Sequence, residues 1–263
     1  MDRKQSDSTK SRFIKEFPSH QNALDIFSDA WACKIPNQPG ETTLKSGSVD
    51  VFHEDPRPDE AVDALGDENR RFDGLDILEL GPLEAGHTYR LENLGAKVLA
   101  IESNSDAYLK CLISKEILGL NSKFLLGDAI KYLSAKTKHF DVIFASGILY
   151  HLQDPIHALE LFAQNCDSLY IWTHVYNKDF LGNCPELAPV EIEYRGVKAK
   201  IYRWTYEDTD AANFWGGNQS GSAWMDAESI VFWLKEFGFP EVRILSRDNQ
   251  HMNGPSISLC ARK

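Results

Sequence analysis

Between residues 74 and 174, short apolar runs alternate with amphipathic stretches, and glycine or proline marks the junctions. Residues 77–80, 97–102, 123–126, 140–145 and 168–174 read as strands. Val98 to Ile101 and the FDVIFA run at 140–145 are apolar on both faces, as strands inside a parallel sheet are. Between them the pattern predicts helices over 88–94, stopped by Gly95, and over 106–118, stopped by Gly119. A short helix follows the Gly127-Asp128-Ala129 turn and runs to Leu133. Another spans 155–165, with Pro155 in its first turn. Strand–helix alternation of this kind implies right-handed crossovers and a doubly wound, mostly parallel α/β sheet.

The flanks read differently. The first ten residues are polar and predict disorder. Phe13, Ile14, Phe17, Leu24, Ile26, Phe27 and Trp31 then recur at roughly helical spacing. They predict one or two amphipathic helices, packed on the main body or closing over a site. Residues 34–60 read as an irregular connection with a short strand at 48–52. Residues 59–72 read as a helix with Ala61, Val62, Leu65 and Phe72 on one side. After residue 174 the rhythm breaks. A strand pair over 190–194 and 198–204, joined at Arg195-Gly196, is followed by an aromatic, glycine-rich loop at 213–218. This stretch predicts an insertion over the carboxyl edge of the sheet. A helix over 227–237, closed by Gly238, then leads to strands 241–246 and 256–261, joined as a hairpin. The chain thus divides, within a single domain, into an extension (1–73), a core (74–174), an inserted cap (175–224) and a closing unit (225–263).

Composition narrows the class. The chain has 263 residues, 43% hydrophobic and 25% charged, which suits one globular domain with an added lobe. A net charge of -11 repels a long polyanion on average, so a nucleic-acid partner would need a local basic patch. No apolar run is long enough to span a membrane, and the polar start lacks a secretory signal core. The five cysteines are scattered without a C-x-x-C pair, and read as reduced thiols in a cytoplasmic protein. The histidines show no H-x-x-x-H or H-E-x-x-H spacing, so no metal is expected.

In open α/β sheets, ligands sit beyond the carboxyl ends of the strands. The residues there are Glu79 to Gly86, Glu102-Ser103, Gly127-Asp128-Ala129, Ser146-Gly147 and His174. Gly81 and Gly86 supply a turn where backbone can approach a ligand. Glu79 is an acid at an apolar strand end, and it needs a cationic or hydrogen-bonding partner. Glu102 follows the second strand, where an acid can hold ribose hydroxyls. Asp128 either accepts from an adenine amino group or caps the following helix.

With LELGPLEAGHT (78–88), AIES (100–103), LGDA (126–129), FDVIFASGILYHLQDP (140–155) and FWLKEFGFPEVRIL (232–245), the chain resembles the class I S-adenosylmethionine-dependent methyltransferases. SGILYHLQDP is similar to the subset that includes tRNA wobble-uridine modifying enzymes and many uncharacterised bacterial methyltransferases. The resemblance implies a Rossmann-like seven-stranded sheet with an antiparallel last strand, and S-adenosyl-L-methionine as cofactor. It places Glu79 near the methionine ammonium and Gly81, Pro82 and Gly86 around the methionine portion. It places Glu102 and Ser103 at the ribose, Asp128 and Ala129 at adenine, and Ser146 and Gly147 between the methionine side and the acceptor. The first motif departs from the usual pattern, since Leu83 and Ala85 stand at its second and third glycine positions. His151 and His174 follow core strands and are the candidate general bases, each with a structural hydrogen-bonding role as its alternative. Tyr150 either lines the acceptor pocket or packs beneath the loop. The aromatic set Tyr202, Trp204, Tyr206, Phe214, Trp215 and Trp224 either lines an acceptor site or forms the insertion's own core.

The resulting expectation is methyl transfer to a small-molecule acceptor. The alternatives are a tRNA-modifying transferase, a nicotinamide-dependent oxidoreductase, and a non-catalytic cofactor-binding module. Oligomeric state is not readable from the chain.

Overall fold

The computed structural model describes residues 13–36, 52, 54–181, 187–205 and 220–263. The polar first ten residues, residues 48–51 of the strand expected at 48–52, Cys184, and the loop at 213–218 with Tyr206, Phe214 and Trp215 lie outside them. In chain order the elements are α1 (His20–Leu24), running into a 3-10 turn (Asp25–Phe27), and α2 (Arg57–Leu65). The core follows as β1 (Asp76–Leu80), α3 (Gly86–Asn93), β2 (Lys97–Glu102), α4 (Ser105–Leu118), β3 (Lys123–Leu126), α5 (Ala129–Ser134) and β4 (Phe140–Ser146). After a 3-10 turn (Leu149–His151) come α6 (Pro155–Asn165), β5 (Cys166–His174) and α7 (Lys178–Leu181). The chain ends with β6 (Ala188–Tyr194), β7 (Val197–Thr205), β8 (Gly221–Trp224), α8 (Ala227–Glu236), β9 (Glu241–Asp248) and β10 (Ser256–Arg262).

Seven strands form one sheet in the order β3-β2-β1-β4-β5-β10-β9. Strands β1 to β5 are mutually parallel, and β10 runs antiparallel to both β5 and β9. The doubly wound sheet with its antiparallel last strand is therefore present as expected. The strand order reverses between β1 and β4, which makes their shared carboxyl edge the crevice of the fold.

Strand periodicity divides the core. Leu78, Ile143, Ala145 and Leu169 face one way, onto Leu159 and Phe162 of α6 and Trp233 and Leu234 of α8. Ile77, Val142, Phe144 and Tyr170 face the other way, with Ala61, Val62 and Leu65 of α2 and Leu91 of α3. Side chains set the helix starts. Asn104 accepts from the Asp106 and Ala107 amides, Asp154 from His157, and Asp226 from Ser229. A cap of this type contributes about 1 kcal/mol.

Two expectations at the N-terminal side fail. The helical spacing of residues 13–31 yields only α1 and its 3-10 turn, and Phe13, Ile14 and Phe17 are exposed. Helix α1 begins at His20 because Ser19 caps it, accepting from the Asn22 amide. The helix expected over 59–72 is α2, which stops at Gly66, so Phe72 is buried outside it.

Beyond β5, β6, β7 and β8 form a separate antiparallel sheet. Arg195 (φ 52) and Gly196 (φ 80) make its two-residue hairpin turn. The third strand, β8, was not expected. Its Ala223 amide donates to the Leu152 carbonyl at 2.8 Å, which fastens this sheet beside the segment after β4. At the hairpin tip, Tyr194 and Arg195 bond Glu160 of α6, and Tyr194 meets the Trp233 ring edge-on at 5.6 Å. Among the described residues, no helix is long and apolar enough to cross a membrane, and Cys33, Cys111, Cys166 and Cys260 are buried and form no disulfide.

Candidate functional site

The loop after β1 is built on left-handed backbone. Gly81 has φ 69, and a Cβ there would lie 2.4 Å from Ile148 Cδ1. The other left-handed residues are Leu83 (φ 60) and Ala85 (φ 70). Gly86, expected to give the loop its freedom, is instead the buried first residue of α3 and is not left-handed. Left-handed backbone costs an L-residue roughly 1–2 kcal/mol, so the two non-glycine positions hold strain that glycine would not. Pro82 is buried, and its carbonyl accepts the Ala85 amide at 2.9 Å.

Two acids flank this turn. Glu79 is 1% exposed. The Thr88 hydroxyl donates to its Oε2 at 2.5 Å, while Oε1 is buried without a hydrogen-bond partner among the described residues. Burial, reinforced by Glu102, pushes the Glu79 carboxyl up to about 8 despite the Thr88 bond. Glu102, buried at the end of β2, accepts from the Leu83 amide at 3.2 Å and the Asn104 amide at 2.8 Å. Burial raises its pKa, opposed by these bonds and one from the Ser103 amide. Glu102 therefore ties β2 to the turn, while Ser103 is exposed. Asp128 is the N-cap of α5, its Oδ1 accepting from Ile130 at 2.8 Å and Lys131 at 3.2 Å. Capping thus engages one carboxylate oxygen. Ala129 opens α5 beside it.

At the end of β4, Ser146 Oγ accepts from Arg57 Nη1 at 3.0 Å. Gly147 (φ 80) donates its amide to the Trp172 carbonyl at 2.9 Å. Arg57 pairs with Asp55, Nη2 to Oδ2 at 2.7 Å, and its guanidinium lies 4.4 Å over the Trp172 ring. Asp55 also meets His87 Nε2 at 3.0 Å. Burial alone would raise the Asp55 carboxyl, but His87 and Arg57 together hold it well below the usual range. Burial lowers the His87 pKa, opposed by its bond to Asp55. Sequence reasoning missed Asp55, Arg57 and His87. The first two sit in a Pro-rich stretch read as connection, and nothing in their spacing ties Arg57 to Ser146.

His174 closes β5 and is buried. Its Nδ1 lies 3.0 Å from the Gly254 carbonyl and 3.3 Å from the Pro255 carbonyl. Both are acceptors, so Nδ1 carries the proton and Nε2 keeps the lone pair. Burial, with His251 nearby, brings His174 down to about 4. Burial, then His174, brings His151 down to about 4 as well. His151 Nδ1 is buried without a partner among the described residues. The Tyr150 ring joins the two histidines, 4.1 Å from His151 and 4.6 Å from His174. Trp224 stacks on His174 at 5.4 Å, and His251, another missed residue, packs against it at 4.9 Å. Tyr202 and Trp224 form a small core of their own with Leu187, and Trp204 packs onto it. Among the described residues, no group of three or more His, Cys, Asp or Glu side chains is arranged to hold a metal.

No protein-family model matches the chain. The tRNA U34 carboxymethyltransferase of Helicobacter hepaticus is 25% identical over 143 residues, which are 49% of this chain and 44% of that protein. The match spans less than half of that relative's length. The N-terminal domain of EvdMO1, solved in the presence of S-adenosylhomocysteine (SAH) and D-fucose, superposes with a TM-score of 0.69 at 21% identity, over 92% of this chain and 94% of that one. Magnesium protoporphyrin IX methyltransferase from Synechocystis PCC 6803, with SAH bound, gives a TM-score of 0.52 at 15% identity, over 78% of this chain and 81% of that one. Strand order, the antiparallel β10 and these superpositions agree: the chain has the fold of the class I S-adenosylmethionine-dependent methyltransferases.

Proposed function

We propose that the chain is an S-adenosylmethionine-dependent methyltransferase acting on a small hydroxylated molecule at the carboxyl ends of β4 and β5. The observation that carries this reading is the unpartnered, buried Glu79 Oε1 beside the left-handed turn. A buried carboxylate oxygen calls for a cation or a strong donor. The ammonium of a methionine moiety is such a group, so this residue fits the cofactor. In this reading Gly81, Pro82 and Gly86 border the methionine portion. Glu102 and Ser103 take the ribose, Asp128 and Ala129 border adenine, and Ser146 and Gly147 face the acceptor.

When bound, the cofactor supplies an activated methyl on a sulfonium. The chain's own part is alignment and proton handling. Holding two reactants in line contributes ~7–11 kcal/mol of barrier reduction. Arg57 donates to Ser146 Oγ, which leaves the serine hydroxyl proton free to point to a ligand. His174 accepts the acceptor's proton on Nε2, because its Nδ1 proton is committed to the Gly254 and Pro255 carbonyls. Its pKa of about 4 leaves that lone pair unprotonated at neutral pH, as a weak base. His151 is the second candidate base. The Tyr150, Trp172 and Trp224 rings suit a flat or apolar face of the acceptor, with the β6–β8 sheet as the cap. The net charge of -11 favours a small acceptor over a polyanion. The N-terminal domain of EvdMO1, a structural neighbour, was solved in the presence of D-fucose, a small hydroxylated molecule. Buried cysteines without disulfides suit the cytoplasm.

The second reading, a tRNA-modifying transferase, is favoured by the match to a tRNA U34 carboxymethyltransferase. Incubation with methyl-labelled S-adenosylmethionine and two acceptor sets, hydroxylated small molecules and tRNA, separates the two. Label in a small molecule, reduced by His174→Ala, is the expected result. Label in tRNA alone would transfer the assignment to the second reading.

A further inference from the structure

The turn that presents Glu79 and Glu102 lacks two of the glycines its backbone asks for. Leu83 and Ala85 are left-handed all the same, and between them stands Glu84, fully buried. Both of its carboxylate oxygens are held by partners within the protein. Oε1 accepts from the Ala32 amide at 2.9 Å, and Oε2 from the Cys33 amide at 2.8 Å. Lys110 of α4, itself buried, donates to Oε1 at 2.9 Å and also to the Ala30 carbonyl. The Lys110 ammonium lies 5.5 Å from each of the Phe27 and Trp31 rings. Trp31 is wholly buried and is fixed by its indole N–H, which donates to the Leu24 carbonyl at 3.0 Å. Cys111 Sγ reaches the Leu83 carbonyl at 3.4 Å, and Glu102 takes the Leu83 amide.

A buried ion pair is weak evidence for stability, since two apolar groups often serve as well. Its place here points elsewhere. Strained backbone persists only where its surroundings over-determine it. Three separate segments converge on residues 83–85: residues 30–33, the end of β2 and the first half of α4.

We propose that Glu84, held by Lys110 and the amides of residues 32 and 33, is the positioning residue of the cofactor turn, standing in for its missing glycines. Glu84 touches neither the crevice nor a ligand; it acts by keeping the turn in the one shape that can bind. The segment around Trp31 is then a strap over the back of that turn. The inference rests on the methyltransferase reading, and its test separates the two.

The double variant Glu84→Gln with Lys110→Met removes both charges, so no unpaired ammonium stays buried. Two readouts apply. Amide hydrogen exchange at Leu83 and Ala85, without any ligand, should quicken about tenfold while the melting temperature shifts by less than about 5 °C. Calorimetric affinity for SAH should fall about tenfold, because a smaller fraction of molecules holds the competent turn. Adding Ala85→Gly, which removes the penalty on left-handed backbone, should recover most of that affinity. A purely structural pair predicts a lower melting temperature and no rescue by glycine. Unchanged exchange, or an affinity loss that Ala85→Gly leaves in place, would overturn the proposal. Quickened exchange in a protein whose wild type ignores SAH would keep the strap and remove the methyltransferase reading instead.

Discussion

Glu79 is a carboxyl group in a place that favours its neutral form. Its pKa stands at about 8 against an ordinary 4.5. Between those values the folded chain binds more protons than the unfolded one, so stability falls as pH rises through that window. Glu79→Gln should flatten the decline, as urea denaturation at about pH 5 and about pH 8 will read. His174 has the opposite sign. Its pKa drops from 6.5 to about 4, so its contribution is present above 6.5 and is lost as pH falls through about 4. His174→Gln should lessen acid destabilisation in that lower window, measured by the same denaturation series. The carbonyls of Gly254 and Pro255 would then face an amide in place of the imidazole N–H.

At the scale of elements, the turn after β1 and the hairpin tip carry the sharpest consequences. Gly81→Ala places a methyl group 2.4 Å from Ile148 Cδ1 on left-handed backbone. It should destabilise by ~1–3 kcal/mol, read from denaturation midpoints at constant m-value. Tyr194→Phe removes a hydroxyl bonded to the buried Glu160 and should cost about 1 kcal/mol by the same measurement. Elements with their own apolar run were legible in the chain. Strands 97–102 and 123–126 and helix 155–165 have the bounds that the pattern gives, because a short apolar run between polar or glycine residues, or a proline start, is local information. The N-terminal aromatics misled, because only the later ones are buried: Trp31 is wholly buried, whereas Phe17 is 89% exposed. Strand β8 has four residues and exists through its pairing with β7. The positions of Glu79, Glu102 and His174 at the ends of their strands were legible because each follows its own apolar run. Arg57 was not, since its bond to Ser146 joins positions 89 residues apart. The left-handed Leu83 and Ala85 were equally hidden, because neither residue type announces that backbone.

At the scale of the molecule, the strand order brings the first parallel strands to one edge, and the antiparallel pair β10 and β9 extends the sheet beyond β5. The chain as a whole carries a net charge of -11. For a small acceptor this field is unimportant, whereas a tRNA would have to overcome it. Retention of tRNA on the immobilised protein should therefore be absent at about 0.15 M salt. The most direct measurement is calorimetric titration of the whole chain with SAH at neutral pH, repeated in buffers of different ionisation enthalpy and with Glu102→Ala. The account predicts micromolar binding, proton release as Glu79 ionises against the ligand ammonium, and at least tenfold weaker binding in the variant, about 1.4 kcal/mol. A folded protein that gives no binding heat, or binds equally well without the Glu102 carboxylate, would contradict it.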